Sequence, residues 1–179
     1  MVVSISSLPP VPLLETERLR LRGHRLEDFS SLAALWADPL TTRYIGGKPC
    51  SEQESWSRLL RYVGHWALLG FGYWAVEEKS SGKFIGETGF ANLKRNIELA
   101  LGDTPEIGWA FAPDSHGKGY AAEAVRTVIA WGESHFARRE TTCIIRPENL
   151  RSIHLAKKCG YRQVRSAMYE GSATLVFVR

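Results

Sequence analysis

The spacing of hydrophobic residues changes several times along the chain, and each change marks a predicted element. Residues 18–22 alternate arginine with leucine, which is the period-two pattern of a strand with one solvated face. Ser51 and Glu54 have the spacing of a capping box, so a helix is expected to begin there and to end before Gly70. The same criteria predict strands at 18–22, 72–77, 83–90, 105–111, 141–146, 161–165 and 174–178, and helices at 26–38, 51–69, 118–136 and 149–158.

This order of elements, β-α-α-β-β-β-α-β-α-β-β, predicts an α/β (mixed α+β) fold. The first half is rich in hairpins and the second alternates strands with helices, so we expect a single mixed sheet with helices on both faces. Residues 1–13 contain three prolines and are expected to form an extended lead-in, followed by a single domain at 14–179. A domain of this size buries a core without metal or disulfide support.

Charge and cysteine content argue against several classes of function. The net charge is +4 and the basic residues are scattered, which does not favour a nucleic-acid partner. Apolar runs fall short of the ~18 residues of a membrane span, and the N-terminus lacks the basic region of a secretory signal. Cys50, Cys143 and Cys159 are far apart and lack metal-ligand spacing, which predicts no metal and free thiols in the cytoplasm.

The strongest chemical signal is the segment from Glu106 to Ala124. It is expected to form a strand, a turn, a glycine-containing loop and a helix. Gly117 and Gly119 allow the backbone to approach a ligand closely and to adopt positive φ. The helix that opens at Tyr120 directs free N–H groups and its positive dipole end towards the loop. The segment therefore predicts a site for a phosphate or pyrophosphate.

Three kinds of phosphate loop compete for this segment. A P-loop needs glycine where Ala112 stands and serine or threonine where Gly119 follows Lys118, so it is excluded. The dinucleotide fingerprint matches residues 117–122, but five residues separate it from the preceding strand. Only about 60 residues follow it, too few for the rest of a doubly wound sheet. An NAD(P)-binding oxidoreductase is therefore a distant alternative.

The third kind is found by resemblance, because residues 115–124 resemble the acetyl-CoA pyrophosphate loop of the GNAT acyltransferases. The order of elements is similar over about residues 14–179, and the most similar branch is that of the ribosomal-protein N-terminal acetyltransferases. Further matching stretches lie at 15–22, 86–89, 106–109, 149–152 and 158–161. The resemblance implies a GNAT-like, mostly antiparallel sheet and acetyl-CoA as co-substrate. It also implies direct acetyl transfer to a primary amine, on a protein N-terminus or a small molecule.

The resemblance further implies which residues bind acetyl-CoA. The strand segment Trp109, Ala110 and Phe111 would supply backbone groups to the pantetheine arm and acyl oxygen. The pyrophosphate would lie against the loop residues His116, Gly117, Lys118, Gly119, Tyr120 and Ala121. His116 stands where the family usually has arginine or glutamine. Because the charge of a histidine depends on pH, acetyl-CoA affinity is expected to fall as the pH rises.

The resemblance also implies catalytic roles for residues in the stretches at 106–109 and 149–152. Glu106 is expected to be the general base, acting through a water, with Glu87 as the alternative and a solvent-facing strand acid as the competing interpretation. Asn149 would bind the pantetheine arm or the acceptor. Ser152 would contact the cofactor or protonate the thiolate, although both residue types also suit the start of a helix. Many relatives have a tyrosine acid at the position of Ala156.

His116 and Ala156 keep open the alternative of a catalytically impaired acyl-CoA-binding module. A thiolate with a pKa near ~8.5 can leave without a dedicated acid. Tyr120 and Tyr161 offer hydroxyl groups, but both are expected to be packing residues. Residues 41–70 and 91–104, with Tyr44, are expected to line the acceptor pocket. The sequence does not specify the acceptor, the acyl-chain preference or the oligomeric state.

Overall fold

The computed structural model describes residues 10–95, 97, 104–137 and 140–179. Within these ranges the strands are β1 (Leu14–Glu15), β2 (Leu19–Arg22), β3 (Tyr73–Glu78), β4 (Phe84–Ala91), β5 (Glu106–Phe111), β6 (Thr142–Ile145), β7 (Arg162–Tyr169) and β8 (Ser172–Val178). The helices are α1 (Phe29–Ala37), α2 (Pro39–Thr42), α3 (Glu52–Leu69), α4 (Tyr120–His135) and α5 (Leu150–Lys158). Single 3₁₀ turns precede α1 and follow β5.

The strands form one sheet in the order β1-β2-β3-β4-β5-β6-β8-β7. All neighbours are antiparallel except β5 and β6. The predicted mixed, mostly antiparallel sheet is therefore confirmed. Residues 1–9 of the predicted lead-in, and 96 and 98–103 of the predicted irregular region, lie outside the described residues.

Two short elements were not predicted. Strand β1 has only two residues, which is too short for an alternating pattern to reveal. Helix α2 has only four residues and follows the predicted helix at 26–38 directly. Asp38 accepts hydrogen bonds from the N–H groups of Leu40 and Thr41, and Pro39 fills the first helical position. The Asp38-Pro39 pair therefore ends one helix and begins the next.

Helices cover both faces of the sheet, as predicted. Alternate residues of a strand point to opposite faces, and β3 shows this directly. Trp74 and Val76 pack into the larger core cluster with Val125 and Val128 of α4. Tyr73 packs against the second cluster, which is formed mainly by α1 and α3 and includes Trp36, Leu59 and Tyr62. Members of both clusters border the candidate site, including Trp36 and Tyr62 of the second.

The parallel pair β5 and β6 diverges soon after it begins. Glu106 pairs with Thr142, and the Thr142 N–H donates to the Pro105 carbonyl at 3.0 Å. Beyond this point β6 continues to pair with β8 while β5 continues to pair with β4. The backbone groups on the β6 side of β5 are thus left for a ligand, since buried backbone polar groups need partners.

The arginines of β2 do not all belong to a solvated face. Leu19 and Leu21 are fully buried, as the alternation predicts. Arg22, however, is only 11% exposed, and its guanidinium donates to the two carboxylate oxygens of Asp28 at 2.7 and 2.8 Å. Glu77 lies 3.0 Å from the same guanidinium. The prediction of a solvated face is therefore wrong at Arg22, because two carboxylates compensate its charge in the fold.

We expect Asp28→Asn to lower the free energy of unfolding by about 3 kcal/mol at pH 7. The substitution leaves the buried guanidinium of Arg22 with one carboxylate partner, Glu77, instead of two. Although burial opposes ionisation, the hydrogen bonds from Arg22 and the Arg25 N–H outweigh it and lower the pKa of Asp28. A lowered pKa contributes stability above the unfolded pKa, and this stability is lost as the pH falls. The difference from wild type should therefore shrink below about pH 4.

Urea unfolding at several pH values measures this difference. Glu15→Gln is the matched control, because Glu15 forms an exposed ion pair with Arg20. That substitution should change stability by less than about 0.5 kcal/mol. Equal effects of the two substitutions at pH 7 would show that the Arg22–Asp28 pair does not support the fold.

Candidate active site

The glycine loop joins β5 to α4, as predicted. Gly117 and Gly119 have φ values of 77° and 82°, in the left-handed region that favours glycine. Gly119 directly precedes Tyr120, the first residue of α4, and no side chain caps the helix at this point. The first N–H groups of α4 are therefore available to a ligand, and the helix dipole favours an anion there.

Arg18 holds this loop in position. Its guanidinium donates to the Lys118 carbonyl at 2.9 Å and forms two hydrogen bonds with Glu123 Oε2, at 2.6 and 2.8 Å. It also lies 4.7 Å from the centre of the Tyr120 ring. Thr16 donates to the other oxygen of Glu123 at 2.5 Å. The sequence suggested no such role, because the contacts join residues that are about a hundred positions apart.

His116 is turned back onto the strand that precedes it. Its Nε2 atom lies 2.9 Å from the Phe111 carbonyl oxygen. A carbonyl only accepts, so Nε2 carries the hydrogen and Nδ1 is the nitrogen left for another partner. In a neutral imidazole Nδ1 is an acceptor, and it donates only when the ring is protonated. The capacity of His116 to donate to a phosphate therefore depends on pH.

A cleft of about 490 Å³ opens between α3, the divergent strands and the start of α5. Four residues predicted to act at the site line this cleft together: Glu106, Trp109, Asn149 and Ser152. The side chains of Ala110 and Phe111 are buried in the core instead, which leaves only their backbone groups for a ligand. Loop residues 116–121 do not line the cleft. The anion site and the cleft are thus separate parts of the structure.

Glu106 is only 8% exposed and forms a two-point ion pair with Arg95. The distances are 2.7 Å to Oε2 and 2.8 Å to Oε1, and Arg95 also donates to the Tyr169 hydroxyl at 2.7 Å. The interpretation of Glu106 as a solvent-facing acid is therefore wrong. Each carboxylate oxygen has two lone pairs and retains one acceptor position, which a water in the cleft can occupy.

Glu87, the alternative base, is fully buried on β4 and does not line the cleft. Its Oε1 atom accepts hydrogen bonds from the Tyr62 hydroxyl and from Trp36 Nε1, and Oε2 lies 3.4 Å from His24 Nε2. Burial, reinforced by the charge of Glu87, raises the pKa of Tyr62 well above its ordinary value. Since Tyr62 separates Glu87 from the cleft, Glu106 is the better placed of the two carboxylates.

Asn149 and Ser152 are held by each other and by Trp109. The Asn149 side-chain oxygen accepts from the Ser152 N–H at 3.1 Å, so Asn149 caps α5. Its NH₂ group remains available to a ligand in the cleft. Trp109 Nε1 donates to the Ser152 hydroxyl oxygen at 3.3 Å, which leaves the hydroxyl hydrogen free for another acceptor. Capping and ligand binding are therefore compatible at these positions.

Tyr120 and Tyr161, the tyrosines considered in place of one at position 156, have hydroxyl partners outside the cleft. Ala156 is fully buried in the core. Tyr161 is also a core residue, as predicted, and its hydroxyl lies 2.6 Å from Thr141 Oγ1. The Tyr120 hydroxyl donates to Glu78 at 2.5 Å. Ser152 is thus the hydroxyl residue that lines the cleft next to Asn149.

Cys143 also lines the cleft, but its environment does not suit a nucleophile. Burial, followed by the nearby charge of Glu106, raises the pKa of the Cys143 thiol. The thiolate is the reactive form, so a thiol held protonated is inert. Among the described residues, groups of three or more metal-ligating side chains are absent, as are helices long and apolar enough to cross a membrane.

The segments expected to line an acceptor pocket do border the cleft. Residues between 44 and 65, including Tyr44, contribute one wall, and residues 91–95 contribute another. Tyr73 also lines the cleft, whereas Trp66 and Trp74 belong to the core. Arg58, Tyr62 and Arg95 also lie here. Arg58 and Tyr62 lie within a helix and Arg95 lies in irregular chain, so no local sequence pattern identifies them as site residues.

Comparison with known proteins relates this arrangement to a family. A model of the acetyltransferase (GNAT) domain matches residues 18–162. YnaD, an uncharacterized N-acetyltransferase of Bacillus subtilis, is 42% identical over 153 residues, which cover 84% of this chain and 82% of YnaD. The structure of a putative GnaT-family acetyltransferase from Bordetella pertussis has a TM-score of 0.83 and 28% identity. That match covers 94% of this chain and 99% of the other.

Ribosomal-protein acetyltransferases are also among the structures with this fold, as the sequence predicted. RimL, a ribosomal alpha-N-protein acetyltransferase in complex with coenzyme A, has a TM-score of 0.73 at 12% identity, over 94% of this chain and 97% of RimL. The mostly antiparallel sheet does not support the dinucleotide-binding alternative, which needs a doubly wound parallel sheet. The glycine loop, the divergent strands and the family match agree, and the chain belongs to the GNAT acetyltransferase family.

Proposed function

We propose that this protein is an acetyl-CoA-dependent N-acetyltransferase that transfers the acetyl group directly to a primary amine of a small molecule or a protein N-terminus. The observation that carries the proposal is the position of the divergent strands. They lie between the glycine loop and a cleft that contains Glu106, Asn149 and Ser152. A cytoplasmic location is part of the proposal, and the three free cysteines are consistent with it.

The chain offers groups suited to each part of acetyl-CoA. The N–H groups of residues 117–121 would hold the pyrophosphate, with Lys118 and a protonated His116 adding positive charge. The backbone of residues 109–111 and the Asn149 amide would hold the pantetheine arm. Bound there, acetyl-CoA supplies the activated thioester. Because the loop is braced by Arg18 and Glu123, its N–H groups are arranged before the ligand arrives.

Transfer to an amine requires a neutral nucleophile, and Glu106 is proposed to accept the amine proton through a water. Arg95 fixes the orientation of this carboxylate. Ser152 is proposed to donate its hydroxyl hydrogen to the departing thiolate, since its oxygen already accepts from Trp109. The raised pKa of Cys143 supports direct transfer over transfer through an acyl-cysteine.

The proposed function is tested by release of free thiol from acetyl-CoA in the presence of a broad panel of primary amines. An acetyltransferase releases thiol with at least one of them. The catalytically impaired module, for which His116 and Ala156 are the motivating observations, would bind acetyl-CoA and release none. Saturable NAD(P) binding without acetyl-CoA binding would contradict both and support the oxidoreductase alternative.

We expect Glu106→Gln to lower kcat/KM at pH 7 by at least roughly 100-fold, which is the lower range for loss of a general base. Glutamine retains a hydrogen-bond acceptor for Arg95 but cannot take up a proton. Glu170→Gln, at another cleft-lining glutamate, is the control and should remain within about three-fold of wild type. A loss of less than a few-fold in Glu106→Gln would rule out the assigned role.

We expect His116→Arg to bind acetyl-CoA more tightly than wild type. Arginine carries a permanent charge and several N–H donors, whereas one ring nitrogen of His116 is already used by the Phe111 carbonyl. Calorimetric titration of the two proteins with acetyl-CoA measures both dissociation constants. Weaker binding by the arginine variant would show that residue 116 does not add positive charge to the anion site.

A further inference from the structure

The cleft contains more positive charge than the proposed reaction needs. Its lining includes five basic side chains, Lys48, Arg58, Arg61, Arg95 and Arg146, and three acidic ones, Glu54, Glu106 and Glu170. Arg95 is compensated by Glu106. In the described part of the chain, the other four basic residues have no carboxylate within ion-pair distance. The cleft is therefore a site of net positive charge.

Acetyl-CoA does not account for this charge. Its pyrophosphate is assigned to the loop at 117–121, and the residues of that loop do not line the cleft. Its 3′-phosphate is attached to the ribose, on the side of the pyrophosphate away from the pantetheine arm and the acetyl group. The pantetheine arm and the acetyl group are uncharged and gain nothing from a guanidinium. The excess positive charge thus faces the space in which the acceptor binds.

Arg58 has the best-defined geometry of these residues. Its guanidinium carbon lies 3.5 Å from the centre of the Trp36 ring, so the planar group is stacked in a fixed orientation. Its buried Nε atom has no hydrogen-bond partner, and one terminal nitrogen has only Cys50 Sγ, at 4.0 Å. An arginine held in this way presents unused donors in the fork that matches a carboxylate or phosphate.

Tyr62 and Glu87 keep the Arg58 guanidinium charged but leave its Nε donor without a hydrogen-bond partner. Burial alone would lower the pKa of Arg58, but the Tyr62 hydroxyl and the Glu87 carboxylate outweigh burial and raise it. Glu87 is not within ion-pair distance, and its Oε1 atom already accepts from Tyr62 and Trp36. A half-buried cation with a buried, unpaired donor is stabilised by an anionic partner. An anionic ligand group in the cleft would supply the missing partner.

We propose that the acceptor is a small amine that also carries a carboxylate or phosphate group, and that Arg58 binds this anionic group. The proposal rests on the acetyl transfer inferred above and specifies its substrate class. Arg61 and Lys48 add attraction for the same group from nearby walls of the cleft. A polyamine would meet like charge at Arg58 and would be a poor acceptor.

The proposal is tested with pairs of amines that differ in the anionic group. Suitable pairs are glycine and glycinamide, β-alanine and β-alaninamide, γ-aminobutyrate and its amide, and phosphoethanolamine and ethanolamine. Spermidine and a tetrapeptide amide without acidic side chains complete the panel. At least one anionic amine should exceed its neutral counterpart by roughly 10-fold or more in kcat/KM. The carboxylate and phosphate pairs show which anion the cleft prefers.

Arg58→Gln should lower kcat/KM for the preferred anionic amine by roughly 10- to 100-fold, the range expected for a lost hydrogen bond to a charged group. The neutral counterpart should change by less than about three-fold in the same variant. Arg58→Lys keeps the charge without the fork and should fall between wild type and Arg58→Gln. Arg43→Gln is the control, because Arg43 lies near Tyr44 but does not line the cleft.

Other outcomes would overturn the inference. Preference of wild type for neutral amines, spermidine or the peptide would do so while leaving acetyl transfer intact. Equal loss with both members of a pair in Arg58→Gln would show that this residue does not bind the anion. If no panel member is acetylated, acetyl-CoA binding by the same preparation separates the cases. Binding without turnover rejects the acceptor class, and thiol release with amines outside this panel then decides whether the proposed acetyl transfer stands. Absence of binding rejects the proposed function as well.

Discussion

The divergence of β5 from β6 is the constraint on which the rest of the site depends. A parallel pair that separates after Glu106 and Thr142 leaves a row of backbone groups without strand partners on one side. Such an arrangement is tolerated where something else satisfies those groups. The glycine loop lies at the far end of β5 and the start of α5 lies beside β6, so both border the opening. The gap in the sheet thus brings together the anion site, the cleft and the residues proposed to move protons.

Charged residues set the chemistry on either side of this gap. The guanidinium of Arg18 binds both the Lys118 carbonyl and the Glu123 carboxylate. It therefore supports the anion site, and it does not line the cleft. Arg95 forms an ion pair with Glu106 and fixes the orientation of its carboxylate. Arg58 has no such partner, and this difference is what makes it a candidate for binding the acceptor. The three arginines have the same side chain but different roles, because their neighbours differ.

Much of the fold was predictable because it depends on local patterns. The alternation in β2, the capping box of α3 and the left-handed glycine at the start of α4 each act within a few residues. The glycine loop and the Asn149 cap were found for the same reason. The missed features depend on side-chain contacts between different elements. Arg22 on β2 contacts Asp28, in the turn before α1, and Glu77 on β3. Arg95 contacts Glu106 from irregular chain, and no spacing rule reveals either set of contacts.

The central claim is that the divergent strands and the glycine loop together hold acetyl-CoA. A crystal structure with bound coenzyme A tests it most directly. The account predicts that the pyrophosphate accepts hydrogen bonds from the N–H groups of residues 117–121, and that the pantetheine arm lies between β5 and β6 with its sulfur near Ser152. Coenzyme A bound elsewhere, with the gap between β5 and β6 empty, would contradict the account.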